Sequence, residues 1–312
     1  MSSAPDKSKM AYELSAEEIK LFVSPLVGAG NETPVSRKRT KRWVLANSEL
    51  VSYDGIGSFI VSGYKSPFAV QAAVRKELSP DLGGAMPVFF GDFEIGNTVF
   101  AVTAVPAGVP LEDLTLVPSA VLDLLRLDNR FREGWGNKPL PEGILRSDLD
   151  FSALDSSAKR LPELSSRLIV LRDALSKQPI RRLMEYPIGL IHGDPGVDNC
   201  FVSECRFAFV DGPTEVGPEI VDAAYFLQSA AACLEGFDPN PTLQALAKYY
   251  NKDICEIREE LILADAVAHS SAIGLFDKIS TELAPDFAEL YDHLIAERVS
   301  ALERIVFTEE HR

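Results

Sequence analysis

The spacing of apolar residues changes character once along this chain, and that change narrows the possible folds more than any other feature. Across residues 42–65, β-branched and aromatic residues alternate with turn formers in RWVLANS, ELVSY and SFIVSGYK. This texture predicts strands, with DGIGS between the last two as a hairpin turn. A helix interrupts them: SPFAVQAAVRKEL, residues 66–78, opens on Ser-Pro and spreads its apolar residues at helical spacing. Two more strands follow, PVFFGDFEIG from Pro87 and NTVFAVTAV from Asn97, sharing a turn around Gly96. Beyond Val105 the chain reads Pro-Ala-Gly-Val-Pro, and past Leu111 helical signals take over. Helices are predicted over residues 119–131, 161–176, 219–233, 242–250, 254–276 and 285–306. Ahead of the sheet, Ser15 and Glu18 form a capping box for a short helix that Pro25 should stop. Strands carrying one helix, then a run of helices, predict an α+β chain with a mostly antiparallel sheet. The boundary falls between residues 1–105 and 106–312.

A chain of 312 residues is long for one core and short for three. Hydrophobic residues make up 46% and charged residues 25%, which fits a soluble globular protein rather than a disordered one. The net charge of −15 disfavours attraction to nucleic acid or to an anionic membrane surface. It is compatible with a cationic small-molecule partner and equally with plain solubility. The four cysteines, Cys200, Cys205, Cys233 and Cys255, are too few and too irregularly spaced for a disulfide framework and read as reduced thiols. MSSAPDKSKMAYELSAEEIK has no apolar signal-peptide core, and no apolar run approaches the roughly 20 residues a membrane span needs. A cytoplasmic location is expected.

One stretch breaks the helical texture: IGLIHGDPGVDNCFVSECRFAFVDGPTEVGPEIVDAAYFL. Its apolar pieces GLI, CFV and FAFV are short and bounded by polar groups, which suggests small strands bracing a rigid loop. Asp194, Asn199 and Asp211 stand out within it. Phosphoryl transfer needs a carboxylate beside the attacking hydroxyl, oxygen ligands for magnesium, and a rigid mount for both. Asp211 and the Asn199 amide oxygen suit magnesium. Asp194, five residues before Asn199, suits the hydroxyl side as proton acceptor or orienting group.

The motif His-Gly-Asp-x4-Asn, through His192, Gly193, Asp194 and Asn199, resembles the catalytic loop of the aminoglycoside phosphotransferase and choline kinase-like enzymes. FVDG around Asp211 stands where that family has its magnesium-binding Ile-Asp-Trp or Ile-Asp-Phe. EVGPEIVDAA, through Gly217, Pro218 and Asp222, is similar to its Gly-x-Pro-x-x-Asp-Leu-Ala segment. VPAGVPLEDL stands at the place of its interlobe hinge. The close resemblance covers residues 192–224. It implies a two-lobed protein-kinase-like fold, with a small antiparallel-sheet N-lobe and a larger, mainly helical C-lobe. It also implies a magnesium-dependent small-molecule O-phosphotransferase using ATP or GTP, with Asp194 as catalytic base, Asn199 and Asp211 as metal ligands, and His192 and Asp222 as organisers of the loop.

The same resemblance calls for a phosphate-covering loop, a strand cation and a helical Glu to orient it. Lys65 at the end of SFIVSGYK and Glu77 in the following helix fill the last two roles. A solvated strand-end lysine is the plain alternative. For the loop, Gly28 with Gly30 competes with Gly55 and Gly57, and neither pair forms a nucleotide fingerprint. The basic run Arg37, Lys38, Arg39, Lys41 and Arg42 reads as a solvated segment or a phosphate contact. Aminoglycosides, sugars, amino alcohols and homoserine all stand open as acceptors, with Glu215, Glu235, Asp238, Asp265 and Asp277 as acidic contacts. A kinase-like binding module and a protein kinase are the competing readings.

Overall fold

The computed structural model describes residues 12–42, 44–78, 82–204 and 206–307. Cys205 and the ends of the chain lie outside the described residues. The capping box forms as the sequence predicts: Ser15 N–H donates to Glu18 Oε2 at 2.7 Å, and Glu18 N–H to Ser15 Oγ at 3.2 Å. It starts α1 (Ala16–Glu18), which runs through a π-helical turn, Ile19–Val23, into α2 (Ser24–Leu26). Pro25 is taken into that last turn, where a missing N–H costs little.

Five antiparallel strands form the sheet, in the order β1-β2-β3-β5-β4: β1 (Ser36–Arg42), β2 (Ala46–Tyr53), β3 (Gly57–Tyr64), β4 (Phe89–Ile95) and β5 (Thr98–Ala104). Ile19 and Val23 pack with Val51, Phe59, Val61, Phe100 and Val102 against one sheet face. The basic run forms the edge strand β1, and its residues 36–40 are exposed, as a solvated segment would be. Arg37 is held by Glu49 at 2.7 Å and Arg39 by Glu13 at 2.6 Å, and a charged edge discourages pairing with another chain. RWVLANS does not form one strand either. Val44 and Leu45 leave the ladder and are buried with Val74 and Leu78 in the main core, so ANS joins ELVSY in β2. Gly55 lies in the β2–β3 hairpin turn that DGIGS predicts, and Gly57 opens β3 opposite Tyr53.

The helix α3 (Val70–Leu78) crosses between β3 and β4, starting four residues later than predicted because the chain first turns through residues 66–69. Beyond β5, β6 (Val109–Pro110) pairs antiparallel with β9 (Cys200–Ser203). Gly108, at φ +93°, passes so close that a Cβ there would lie 1.9 Å from Val202 O. Only glycine fits.

The chain continues as α4 (Val117–Trp135), β7 (Leu145–Arg146), α5 (Ser152–Arg160), α6 (Pro162–Leu175), β8 (Ile188–Ile191), β9, β10 (Arg206–Phe209) and β11 (Glu215–Pro218). It ends in α7 (Ile220–Cys233), α8 (Asn240–Tyr250), α9 (Ile254–Lys278) and α10 (Ala288–Phe307). The long α9 packs on α5, α7, α8 and α10, and its buried face, from Ile257 to Phe276, forms the middle of the main core. The predicted helices appear, with α5 added. Cys200 is fully buried, and burial pushes its thiol up to about 12. Among the described residues no helix is long and apolar enough to cross a membrane.

Candidate active site

Short strands carry the polar residues that the sequence singled out. The loop after β8 holds His192, Gly193 and Asp194. A 3-10 turn, Val197–Asn199, leads into β9 and β10, which return the chain to Asp211. Val210 N–H donates to Asn199 O at 3.0 Å, so the segment bearing Asp211 is tied to the one bearing Asn199. Asp211 adopts φ +64°, the left-handed region that Asp tolerates better than most residues.

Asp194 is held from two sides. Asn199 Nδ2 donates to its backbone O at 2.9 Å and to Oδ2 at 3.2 Å, and the Tyr225 hydroxyl donates to Oδ1 at 3.0 Å. The charge of Asp194, and then burial, push the Tyr225 hydroxyl well above its usual range, so it stays a donor. With its Nδ2 committed to Asp194, Asn199 presents Oδ1 as an acceptor for another group.

Two buried carboxyls brace the loop. Asp222 accepts from Gly193 N–H at 3.0 and 3.2 Å, and Asp128 from His192 N–H at 3.1 Å. Burial first, then neighbouring carboxylates, hold both well above the ordinary carboxylate range. Gly193, at φ +80°, leaves no room for a Cβ, which would lie 2.2 Å from Thr214 Oγ1.

All three catalytic candidates line a single cleft of about 1220 Å³. The sheet contributes Ala46, Ser48 and Tyr64, the turn before α3 contributes Phe68, and α3 contributes Gln71. The Tyr64 hydroxyl donates to Asp211 Oδ1 at 3.3 Å. Lys65 follows directly, buried at 7% exposure, with its N–H donating to Leu45 O at 2.8 Å.

Glu77 corrects the sequence reading. It is not the partner of Lys65: its side chain is 49% exposed and forms an ion pair with Lys138. The inward face of α3 is Gln71, Val74, Arg75 and Leu78, at the i, i+3, i+4, i+7 spacing that turns position 77 outward. Gln71 faces the cleft instead, and its buried Oε1 has no hydrogen-bond partner among the described residues. Of the proposed acidic contacts, Asp277 is held by Arg160, and Asp238 accepts from the side-chain and backbone N–H groups of Asn240. Glu215 is buried beside Ser147 Oγ at 2.5 Å, and burial raises it to about 7.

Sequence reasoning missed Asp128, Tyr225, Tyr64 and Gln71. Asp128 left one signal: it stands on the stripe of Val117, Val121, Leu124 and Phe131, all buried on α4, where a charge is out of place unless it has work to do.

A five-stranded antiparallel sheet with one helix, joined to a helical lobe whose short strands carry Asp194, Asn199 and Asp211, is the two-lobed protein-kinase-like fold of small-molecule phosphotransferases. One similar solved structure is a thermostable mutant of aminoglycoside phosphotransferase APH(4)-Ia in ternary complex with ADP and hygromycin B. Its TM-score is 0.58 at 12% identity, over 93% of this chain and 99% of that one. A choline kinase from Cryptosporidium parvum Iowa II gives 0.60 at 10% identity, over 94% and 98%. A choline/ethanolamine kinase family protein from Mesorhizobium loti gives 0.56 at 15%, over 88% and 90%. No protein-family model matches the chain, and no curated protein matches it. The likeness is one of fold.

Proposed function

We propose that this protein transfers the terminal phosphoryl group of ATP, or GTP, to a hydroxyl of a small molecule, with residues 1–105 as the nucleotide lobe and 106–312 as the acceptor lobe. The observation that carries the reading is the Asp194 carboxylate, fixed by Tyr225 and Asn199 in the cleft that Asp211 also lines. Asp194 accepts or orients the hydroxyl proton, a role worth about 10²–10⁴ in rate. An amide oxygen and a carboxylate, from Asn199 and Asp211, form a hard donor set that suits magnesium, completed by phosphate oxygens. Magnesium held there would neutralise charge on the phosphates. Lys65, buried at the end of β3, is assigned to the phosphates on the sheet side. The complexes of similar proteins with ADP and hygromycin B, or with ADP and spectinomycin, support a nucleotide and a small acceptor sharing this cleft.

Asp194→Ala is expected to lose at least about 100-fold in turnover while keeping affinity for the magnesium nucleotide, measured by ADP release across an acceptor panel and by calorimetry. Undiminished turnover would overturn the assignment. A second reading, a kinase-like module that binds without transfer, draws on the β1–β2 connection. That connection has no glycine, and its Val44 and Leu45 are buried. Nucleotide binding with no ADP release on any acceptor would favour it.

A further inference from the structure

The wall of the cleft beyond Asp194 is built by three helices. Tyr225 and Gln228 on α7, His269 on α9 and Arg298 on α10 all line it. They form a connected polar line. Tyr225 is bonded to Asp194 at 3.0 Å. One turn further along α7, Gln228 lies 2.6 Å from His269 Nε2, and His269 Nδ1 lies 3.4 Å from Arg298 Nη1. A guanidinium can only donate, so Nδ1 is the acceptor and the proton of the ring is on Nε2, on the side of the Gln228 amide, whose Nε2 is the atom at 2.6 Å. The imidazole carries no charge: burial, then Arg298 and Arg304, push it down to about 3.

The fixed charge of this wall is therefore Arg298. Among the described residues no carboxylate lies within ion-pairing distance of it. Of the carboxylates on α9 and α10, Asp277 and Asp292 pair with Arg160 and Glu303 with Arg167, while the exposed Glu297 lies 3.4 Å from His293. Asp265 lies 3.6 Å from His269 Nε2, and burial holds its carboxyl near 7 despite Arg298. The charge of Arg298 also acts on the Tyr225 hydroxyl, and both residues line the cleft with Asp194.

We infer that the acceptor is a hydroxy carboxylate, its carboxylate bound by Arg298 and its hydroxyl presented to Asp194. The inference rests on the phosphotransferase reading and supplies its substrate class. A half-buried guanidinium lacking an ion pair, with N–H donors to spare, is a ready fork for a planar oxyanion. One unneutralised positive charge beside Asp194 matches a monoanion better than a doubly charged phosphate ester. A cationic acceptor would meet repulsion at this wall, although the net charge of −15 leans towards cations.

The test compares matched acceptors on the full chain with magnesium and ADP. 4-Hydroxybutyrate, a homoserine-type hydroxy amino acid and a sugar acid are each set against their amides, the corresponding amino alcohols and a sugar phosphate, with binding read by calorimetry. Carboxylates are expected to bind about 10- to 100-fold tighter than the amides. Arg298→Gln should abolish that preference and Arg298→Lys retain part of it, with an unchanged circular dichroism spectrum in both. Equal or tighter binding of amides, amino alcohols or the sugar phosphate, no binding of any carboxylate, or an unaltered preference in Arg298→Gln overturns the inference. Turnover of a neutral or cationic acceptor that depends on Asp194 would sink this inference and leave the phosphotransferase reading standing. Absence of nucleotide binding would sink that reading itself.

Discussion

Asp194 shows how much a single carboxylate depends on groups remote in sequence. Its two oxygens are oriented by Asn199, five residues on, and by Tyr225, on a separate helix. Tyr225→Phe deletes a hydrogen bond to a charged group while keeping the ring. We expect kcat to fall by about 10- to 100-fold, with nucleotide affinity within about twofold of the parent. Steady-state kinetics decide, and an unchanged kcat would return Tyr225 to a packing role. Asp194, Asn199 and Asp211 were legible as candidates because they stand at a fixed spacing along one stretch of chain. Tyr225 and Asp128 were not, because they reach the loop only after helices distant in the chain pack against it. Glu77 shows the opposite failure, a charged residue of the right type on the wrong face of its helix. Its ion pair with Lys138 is half exposed, and such pairs contribute little. Glu77→Gln is therefore expected to leave affinity for the magnesium nucleotide within about twofold, as measured by calorimetry. A tenfold loss would reinstate it.

At the scale of elements, the sequence was read well where one face is apolar and poorly where tertiary contacts decide. The helices α7, α9 and α10 follow from periodicity, since each buries a continuous stripe. β1 was hidden because SRKRTKR has no apolar alternation. It forms because β2 offers it a ladder from Ser36↔Ser52 to Arg42↔Asn47. The connection from β5 into the helical lobe was recognisable from its Pro-Ala-Gly-Val-Pro composition, but the reason for its glycine was not. Gly108 lets β6 lie against β9, the strand that follows Asn199. Gly108→Ala would combine a strained φ of +93° with a Cβ 1.9 Å from Val202 O. We expect a loss of roughly 2 kcal/mol or more, read as a lowered melting temperature. An unchanged melting temperature would mean that the β6–β9 contact can slide without cost.

Across the whole molecule the acidic character is distributed unevenly, and its buried part should govern the response to pH. Asp128, Asp222 and Glu215 lie together under and beside the loop that bears Asp194, at 0%, 1% and 7% exposure. Burial raises the pKa of all three. For a carboxyl whose folded pKa exceeds its unfolded value, the folded state binds the extra proton between the two values. Stability is then highest at or below the unfolded pKa and declines as pH rises through the folded one. For Glu215 that window runs from its ordinary 4.5 to about 7. His269 works in the reverse sense. Its folded pKa of about 3 against an ordinary 6.5 means that the unfolded chain takes the proton first, so stability is lost as pH falls below about 6.5. The Glu215 contribution can be isolated with Glu215→Gln, which keeps the shape and an acceptor for Ser147 Oγ but cannot ionise. Relative to this variant, the parent should lose on the order of 2 kcal/mol between pH 4.5 and 7.5. The two should then run parallel at higher pH, because both carry a constant charge at position 215. Paired denaturant titrations at half-unit pH steps measure the difference directly. A gap that is flat with pH would show that Glu215 is ionised throughout, and a gap that narrows as pH rises would show that its carboxylate is stabilised by the site.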